Sequence, residues 1–445
     1  MSRVPAADLM LAEVRLWGTT VGAVMLEKGA EVATFQYDAA FAQSGVEVSP
    51  LAMPLSRRAY SFPELPAQTF HGLPGMLADS LPDKFGNALI DAWLATQGRL
   101  PGSFNAIERL CYTGQRGMGA LEFAPRIGPR QGPSAALQVN ALVALASDVL
   151  HKRDALHTAF AEAGSAQKNA LLDILRVGTS AGGARAKAVI AWNAKTGEVR
   201  SGQTDAGEGF DYWLMKFDGV TGNKDKELED PKGYGAIEYA YSLMAAAAGV
   251  RISECRLFEE GGRRHFMTRR FDRPAGGGKL HAQSLGALAH LDFNQPGAHS
   301  YEQALLVAQR VTGTREAAAE QFRRMLFNIA ARNQDDHVKN IAFLMGRDGR
   351  WSLSPAYDIA YSYNPDGAWT SAHQMSVNGK RDNFTLADIK ACAKSAALTR
   401  GEAETLLAEV LSAVKRWPDF AAQAHVPLTV AKQIFDTLRL KIPKR

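Results

Sequence analysis

The stretch Asn333-Gln334-Asp335-Asp336-His337-Val338-Lys339-Asn340 decides what kind of fold this chain can have. It follows the apolar helical run Met325 to Ala331 and is dense in acids, amides and bases. Phosphoryl transfer needs a carboxylate to orient and deprotonate the attacking hydroxyl, and an oxygen ligand for Mg²⁺. Protein kinases place the two five positions apart, as D-x-x-x-x-N. Asp335 and Asn340 have that spacing, whereas Asp336 is four from Asn340. The register therefore favours Asp335 as the base and leaves Asp336 as a neighbour. Lys339 would neutralise a transferring phosphate, and His337 would brace the loop or contact nucleotide. The plainer alternative is a polar loop capping the preceding helix, because this spacing alone arises readily by chance.

Working outward, Tyr357-Asp358-Ile359 lies eighteen residues after Asn340. Ile341 to Met345, the turn Arg347-Asp348-Gly349 and Trp351 to Leu353 read as a hairpin between them, which returns Asp358 close to Asn340. Their oxygens are the hard donors Mg²⁺ takes; an Asx turn after Pro355 is the alternative. Upstream, Gly178-Thr179-Ser180-Ala181-Gly182-Gly183-Ala184-Arg185-Ala186-Lys187 precedes a strand. Small residues admit phosphates close to backbone N–H groups and Lys187 adds charge, although the Walker spacing is absent and a plain connecting turn fits equally. In Tyr212-Trp213-Leu214-Met215-Lys216-Phe217, alternation sets Lys216 on a largely apolar face, where an ammonium needs partners. A nucleotide phosphate and Glu238, early in the next helix, would supply them; an edge strand with Lys216 in water is the alternative.

At 445 residues, 46% hydrophobic and 22% charged, the chain is globular and long enough for two or three domains. No apolar run suits a membrane span, and Asp8 and Glu13 interrupt any signal peptide. Three scattered cysteines, Cys111, Cys255 and Cys392, argue against a disulfide framework or zinc site and fit a cytoplasmic protein. A net charge of +5 is mildly basic. The tail Leu438 to Arg445 could touch a phosphate backbone. Residues 1–127 form an expected α+β accessory domain, with strands Glu13 to Trp17 and Ala23 to Leu26 around a turn at Gly18 to Gly22, and a helix from Lys84 to Gln97. The Gly/Pro-rich stretch from Arg126 to Pro133 reads as a linker.

Helices are expected at Ala135 to Phe160 and Gln167 to Leu175. Strands follow at Ala188 to Trp192 and Tyr212 to Phe217, then a helix from Tyr234 to Ala248 and a hairpin around Glu260-Gly261-Gly262. Beyond residue 300 the pattern is mainly helical, through Glu302 to Thr312 and Glu316 to Arg332. Capping-box sequences stand at Thr385 and Thr399. The expected domains are 1–127, 134–275 and 276–445.

Together these features resemble the HipA family, the serine/threonine kinase toxins of bacterial toxin–antitoxin modules. The likeness runs in order through Val14 to Gly18, the Ser180 to Lys187 loop, the Lys216 strand, Arg270-Phe271-Asp272-Arg273, the Asp335 to Asn340 loop and Tyr357-Asp358. It implies a two-lobed, protein-kinase-like α+β fold with a mainly helical C-terminal lobe and an N-terminal accessory domain. By position, Asp335 would be the base, and Asn340 and Asp358 would bind Mg²⁺. ATP would meet Gly182, Gly183, Ala184, Arg185, Ala186, Lys187, Lys216, the hinge Arg269, Arg270 and Phe271, the residues His337, Val338, Lys339 and Asn340, and Tyr357 with Asp358. Ser180 matches an autophosphorylation serine, with Thr179 its neighbour. The resemblance also implies a small helix-turn-helix antitoxin of the HipB type, operator DNA reached through it, and a protein substrate, the family's targets including an aminoacyl-tRNA synthetase. A non-toxic kinase of another protein or small molecule, and a DNA-associated corepressor lacking phosphotransfer, are the competing readings. Gly72 to Asp83 looks like a further family feature of the accessory domain, to which no chemistry attaches.

Overall fold

The computed structural model describes residues 10–100, 102–128, 136–151, 185–220, 224–225, 228–229, 233–275 and 277–444. The chain divides into two compact units. The first comprises Met1–Ser49, Met53–Lys232 and Phe258–Ala282; the second comprises Pro50–Ala52, Gly233–Leu257 and Gln283–Arg445.

In the first unit, Leu11–Leu16 (β1), Thr19–Met25 (β2), Thr34–Tyr37 (β3), Ala59–Tyr60 (β4) and Leu121–Ala124 (β5) form an antiparallel sheet in the order β4-β3-β2-β1-β5. Alternation drives β1, since Ala12, Val14 and Leu16 are buried while Leu11 and Arg15 face out. The hairpin is tighter than expected from sequence, and β2 begins at Thr19 rather than Ala23. Trp17 and Gly18 both adopt positive φ, at 52° and 84°, the signature of a two-residue turn whose twist matches the strands. The helix Lys84–Thr96 (α1) starts at Asp83, whose side chain accepts the Gly86 N–H.

A second sheet runs Cys255–Glu260, Arg263–Arg269, Asp211–Lys216, Lys187–Trp192, Val199–Ser201 across its width. We label these in chain order: Lys187–Trp192 (β6), Val199–Ser201 (β7), Asp211–Lys216 (β8), Cys255–Glu260 (β9) and Arg263–Arg269 (β10). Gly261 and Gly262, at φ 58° and 73°, make the expected β9–β10 turn. One face of this sheet, through Ala188, Ile190, Trp213, Met215 and Met267, shares a single core with Phe85, Ala88, Leu89, Ala92 and Trp93 of α1. Val139, Leu142 and Val143 of the helix Val139–His151 (α2) complete it. The accessory region is thus bound to the second sheet by apolar burial. The expected helix at Gln167 to Leu175 lies outside the described residues.

In the second unit, Tyr234–Ala247 (α3) ends before Gly249, at φ 76°. Tyr241 anchors it, its hydroxyl donating to the Ala331 carbonyl at 2.7 Å and its ring packing against Phe327 and Trp417. Tyr301–Thr312 (α4) carries a Ser300/Gln303 capping box, and Arg315–Ala330 (α5) is capped by Thr314. The Thr385/Asp388 box forms as expected. At Thr399 the arrangement differs: the helix starts at Glu402 behind Gly401, and Thr399 donates both its N–H and its hydroxyl to the Glu402 carboxylate. No helix among the described residues is long and apolar enough to cross a membrane.

Leu89 is fully buried in the shared core. Leu89→Ala should cost about 2–5 kcal/mol. Urea unfolding followed by tryptophan fluorescence should show the first unit losing structure in one transition; separate accessory and sheet transitions would contradict a shared core.

Candidate active site

The polar loop begins where α5 ends. Arg332 adopts a left-handed conformation at φ 56° and turns the chain, and the Asn333 N–H returns to the Asn328 carbonyl at 3.0 Å. Asn333 Nδ2 donates to Asn328 Oδ1, and Asn328 Nδ2 donates to the Tyr301 hydroxyl. Gln334 is held by the carbonyls of Ser362 and Thr370. These bonds come from α4, α5 and residues 362–370, so the loop rests on a buried polar scaffold.

The two adjacent acids have different surroundings. Asp336 has no exposed side-chain surface; its carboxylate accepts from the Tyr301 hydroxyl at 2.6 Å, His373 Nδ1 at 2.7 Å and the Gln374 N–H at 2.7 Å. Arg439 Nη1 lies 3.0 Å from His373 Nε2. A guanidinium only donates, so the ring proton sits on Nδ1 and points to Asp336. Burial opposes ionisation of Asp336, but the His373 ring and these hydrogen bonds outweigh it and hold its pKa below the usual carboxylate range. Arg439 also meets Asp382 and the Ile329 carbonyl.

Asp335 is 31% exposed, and its Oδ1 accepts the Trp369 indole N–H at 2.7 Å with His337 Nε2 at 3.7 Å. Asn340 Nδ2 donates to the Asp335 backbone carbonyl at 2.8 Å, which leaves the amide oxygen for another ligand. Asn340, His337, Tyr357 and Asp358 line one cleft of the second unit. The Ala342–Met345 and Trp351–Leu353 strands pair as the expected hairpin, and the Tyr357 hydroxyl closes it onto the Lys339 carbonyl at 2.6 Å. Asp358 holds a left-handed φ of 51°, a conformation that costs energy for a non-glycine residue. Two hard oxygen donors in one cleft suit Mg²⁺, which uses few protein ligands and fills the remainder with phosphates and water. Val338 is buried, and Lys339 Nζ sits 5.1 Å from the Phe293 ring centroid.

The remaining sequence-predicted residues fall mostly in the first unit. Thr179, Ser180, Gly182, Gly183 and Ala184 lie outside the described residues. Arg185 and Ala186 lead into β6. Lys187 is 5% exposed and ion-paired to Asp83 at 3.2 Å. Lys216 closes β8 with its Nζ 5.7 Å from the Phe266 ring centroid. Glu238 is buried in α3 of the second unit. At the hinge, Arg269 pairs with Asp211, and the Arg270 N–H donates to the Tyr212 carbonyl, so this N–H is already committed. The Arg270 side chain is buried against Asp272, and the half-buried Arg273 pairs with the same carboxylate. Burial opposes ionisation of Asp272, yet the two guanidiniums and the Gly119 N–H hold its pKa far below the ordinary range. Gly119, at φ 76°, approaches so closely that an added Cβ would lie 2.8 Å from Ala282 N. Trp369, His373, Arg439 and Asp83 were not found by sequence reasoning; each reaches its partner across a long separation that leaves no local spacing.

The fold is of mixed α and β elements, as expected from sequence. A model of the HipA N-terminal domain matches residues 12–124, and one of the HipA-like C-terminal domain matches residues 179–417. The latter alone spans more than half of the sequence, and the chain belongs to the HipA family. Among solved structures, the Shewanella oneidensis MR-1 toxin–antitoxin complex of HipA, HipB and operator DNA contains a chain of the same fold. That chain is 18% identical with a TM-score of 0.65, over 96% of each chain. The Helicobacter pylori proinflammatory kinase CtkA matches at 9% identity and a TM-score of 0.31, over 51% of this chain and 88% of that one, too low a score to bear on the fold. No curated protein matches the sequence significantly.

Removing one partner of a buried charged group costs about 3–5 kcal/mol, so Asp336→Ala should destabilise the second unit by that amount at pH 7. The folded pKa of Asp336 is depressed. Its contribution is therefore complete above about pH 4, the unfolded carboxylate value, and is lost as pH falls through the folded pKa. The gap in urea stability between wild type and Asp336→Ala should narrow on acidification; a gap that widens would contradict the assignment.

Proposed function

We propose that this protein is an ATP- and Mg²⁺-dependent serine/threonine protein kinase, the toxin of a HipA-like toxin–antitoxin module. The observation that carries the proposal is the bond from the Asn340 amide to the Asp335 carbonyl. It joins a partly exposed carboxylate and an amide oxygen within one loop, at the kinase spacing. With Oδ1 held by Trp369, Oδ2 of Asp335 is the atom that takes the proton from a substrate hydroxyl. Asn340 and Asp358 would hold Mg²⁺, which when bound neutralises charge on the phosphate oxygens. Lys216 would meet an ATP phosphate.

Autophosphorylation at Ser180 would add a charge of about −1.5 to −2 beside that site and silence the enzyme by repulsion. The Shewanella structure contains HipB and operator DNA. By analogy, a HipB-type antitoxin is the proposed partner here, with operator DNA reached through it. A component of translation, for instance an aminoacyl-tRNA synthetase, is the proposed protein substrate.

Incubation with labelled ATP and Mg²⁺ should label the wild-type chain and one or more lysate proteins. Asp335→Asn and Asp358→Asn should each lower the rate about a thousandfold or more with the fold intact. Near-normal labelling by either variant would overturn the assignment. Lys216→Ala should mainly weaken ATP binding, by about tenfold or more, as read by calorimetry. Induced wild type should arrest growth while Asp335→Asn does not; equal growth of the two cultures would remove the toxin half of the proposal.

A further inference from the structure

Lys187 and Lys216 stand directly opposite each other in the antiparallel β6–β8 pair. Opposed residues share a face, with Cβ atoms about 4.5–5.5 Å apart, and like charges so placed repel. Lys187 is 5% exposed and so has little water to screen it, and its ion-pair partner is Asp83, itself 3% exposed. Asp83 belongs to the accessory region, immediately before α1, and its other oxygen accepts the Gly86 N–H at 2.6 Å. The same helix continues into the core it shares with β6 and β8. One carboxylate is thus fixed to the accessory helix by its cap and to the first residue of β6 by charge. The neighbouring Phe217 N–H bonds the Ala186 carbonyl at 3.1 Å, so the end of β8 and the entry to β6 are tied at this point.

We propose that Asp83 is a positioning residue of the nucleotide site. It neutralises Lys187 and holds the entry to β6 in place, directly opposite the Lys216 end of β8. Lys187 is then part of the support rather than a phosphate ligand. The proposal rests on the kinase reading above, and gives the accessory domain a part in ATP binding.

Asp83→Asn is a selective test, because asparagine caps a helix as well as aspartate does and removes only the charge. Calorimetric ATP affinity and steady-state kinetics of the full chain should show Asp83→Asn weakening ATP binding and raising KM for ATP tenfold or more, with kcat changed less than threefold. In a Lys187→Met background the same substitution should change KM less than twofold, since the group it acts through is gone. A defect confined to stability would move the melting temperature without this split or this dependence on Lys187. Unchanged ATP affinity in Asp83→Asn, or an equal loss in both backgrounds, overturns the proposal while leaving the kinase reading standing. Absence of ATP binding by the wild type overturns both. If Asp83→Asn alone does not fold, the double variant carries the test: ATP affinity within threefold of Lys187→Met supports the proposal, and a larger loss overturns it.

Discussion

The buried carboxylate of Asp336 constrains everything around the polar loop at residues 333–340. An ionised group without water must find its donors in the protein, and each donor must be held in place by something else. Tyr301 comes from the start of α4, His373 and Gln374 from a segment nearly forty residues further on, and Arg439 from the end of the last helical stretch. Meeting that one requirement draws these segments together beneath the loop. Asp335, next in the chain and pointing elsewhere, inherits a rigid base without spending its own carboxylate on it. This division between neighbours, one acid fixed and the other partly exposed, is the physical content of the five-residue register.

The first unit obeys a similar logic at Asp272 and Asp83. Both are nearly inaccessible carboxylates, both are compensated by basic side chains, and both link the accessory region to the sheet that carries Lys216. Apolar burial supplies most of the adhesion between the two, as the contiguous core from Phe85 to Met267 requires. The ion pairs determine register and orientation, which apolar contact, being non-directional, does not.

Much of this was legible in the residues. The helix start at Thr385 follows from its capping-box sequence, and the Gly261-Gly262 turn follows from the demand for positive φ. The preference for Asp335 over Asp336 came from spacing, and the different burial of the two is in keeping with it. What stayed hidden has a common cause. Trp369 reaches Asp335, Arg439 reaches His373, and Asp83 reaches Lys187 through tertiary packing, and no periodicity encodes which distant residue fills a given place. Lys187, after the Gly-rich run, has its charge met by Asp83 at the start of the accessory helix. The β1–β2 turn was misjudged for a local reason, because tryptophan at a positive φ is rare and Gly18 alone signalled only an approximate position.

The shared core also has a consequence during synthesis. The apolar face of α1 is made about a hundred residues before β6, the first strand that covers it. At about 5–20 residues per second, that leaves Phe85, Leu89 and Trp93 without their native strand neighbours for about 5–20 s. The nascent helix is therefore a natural point for chaperone attention or premature association.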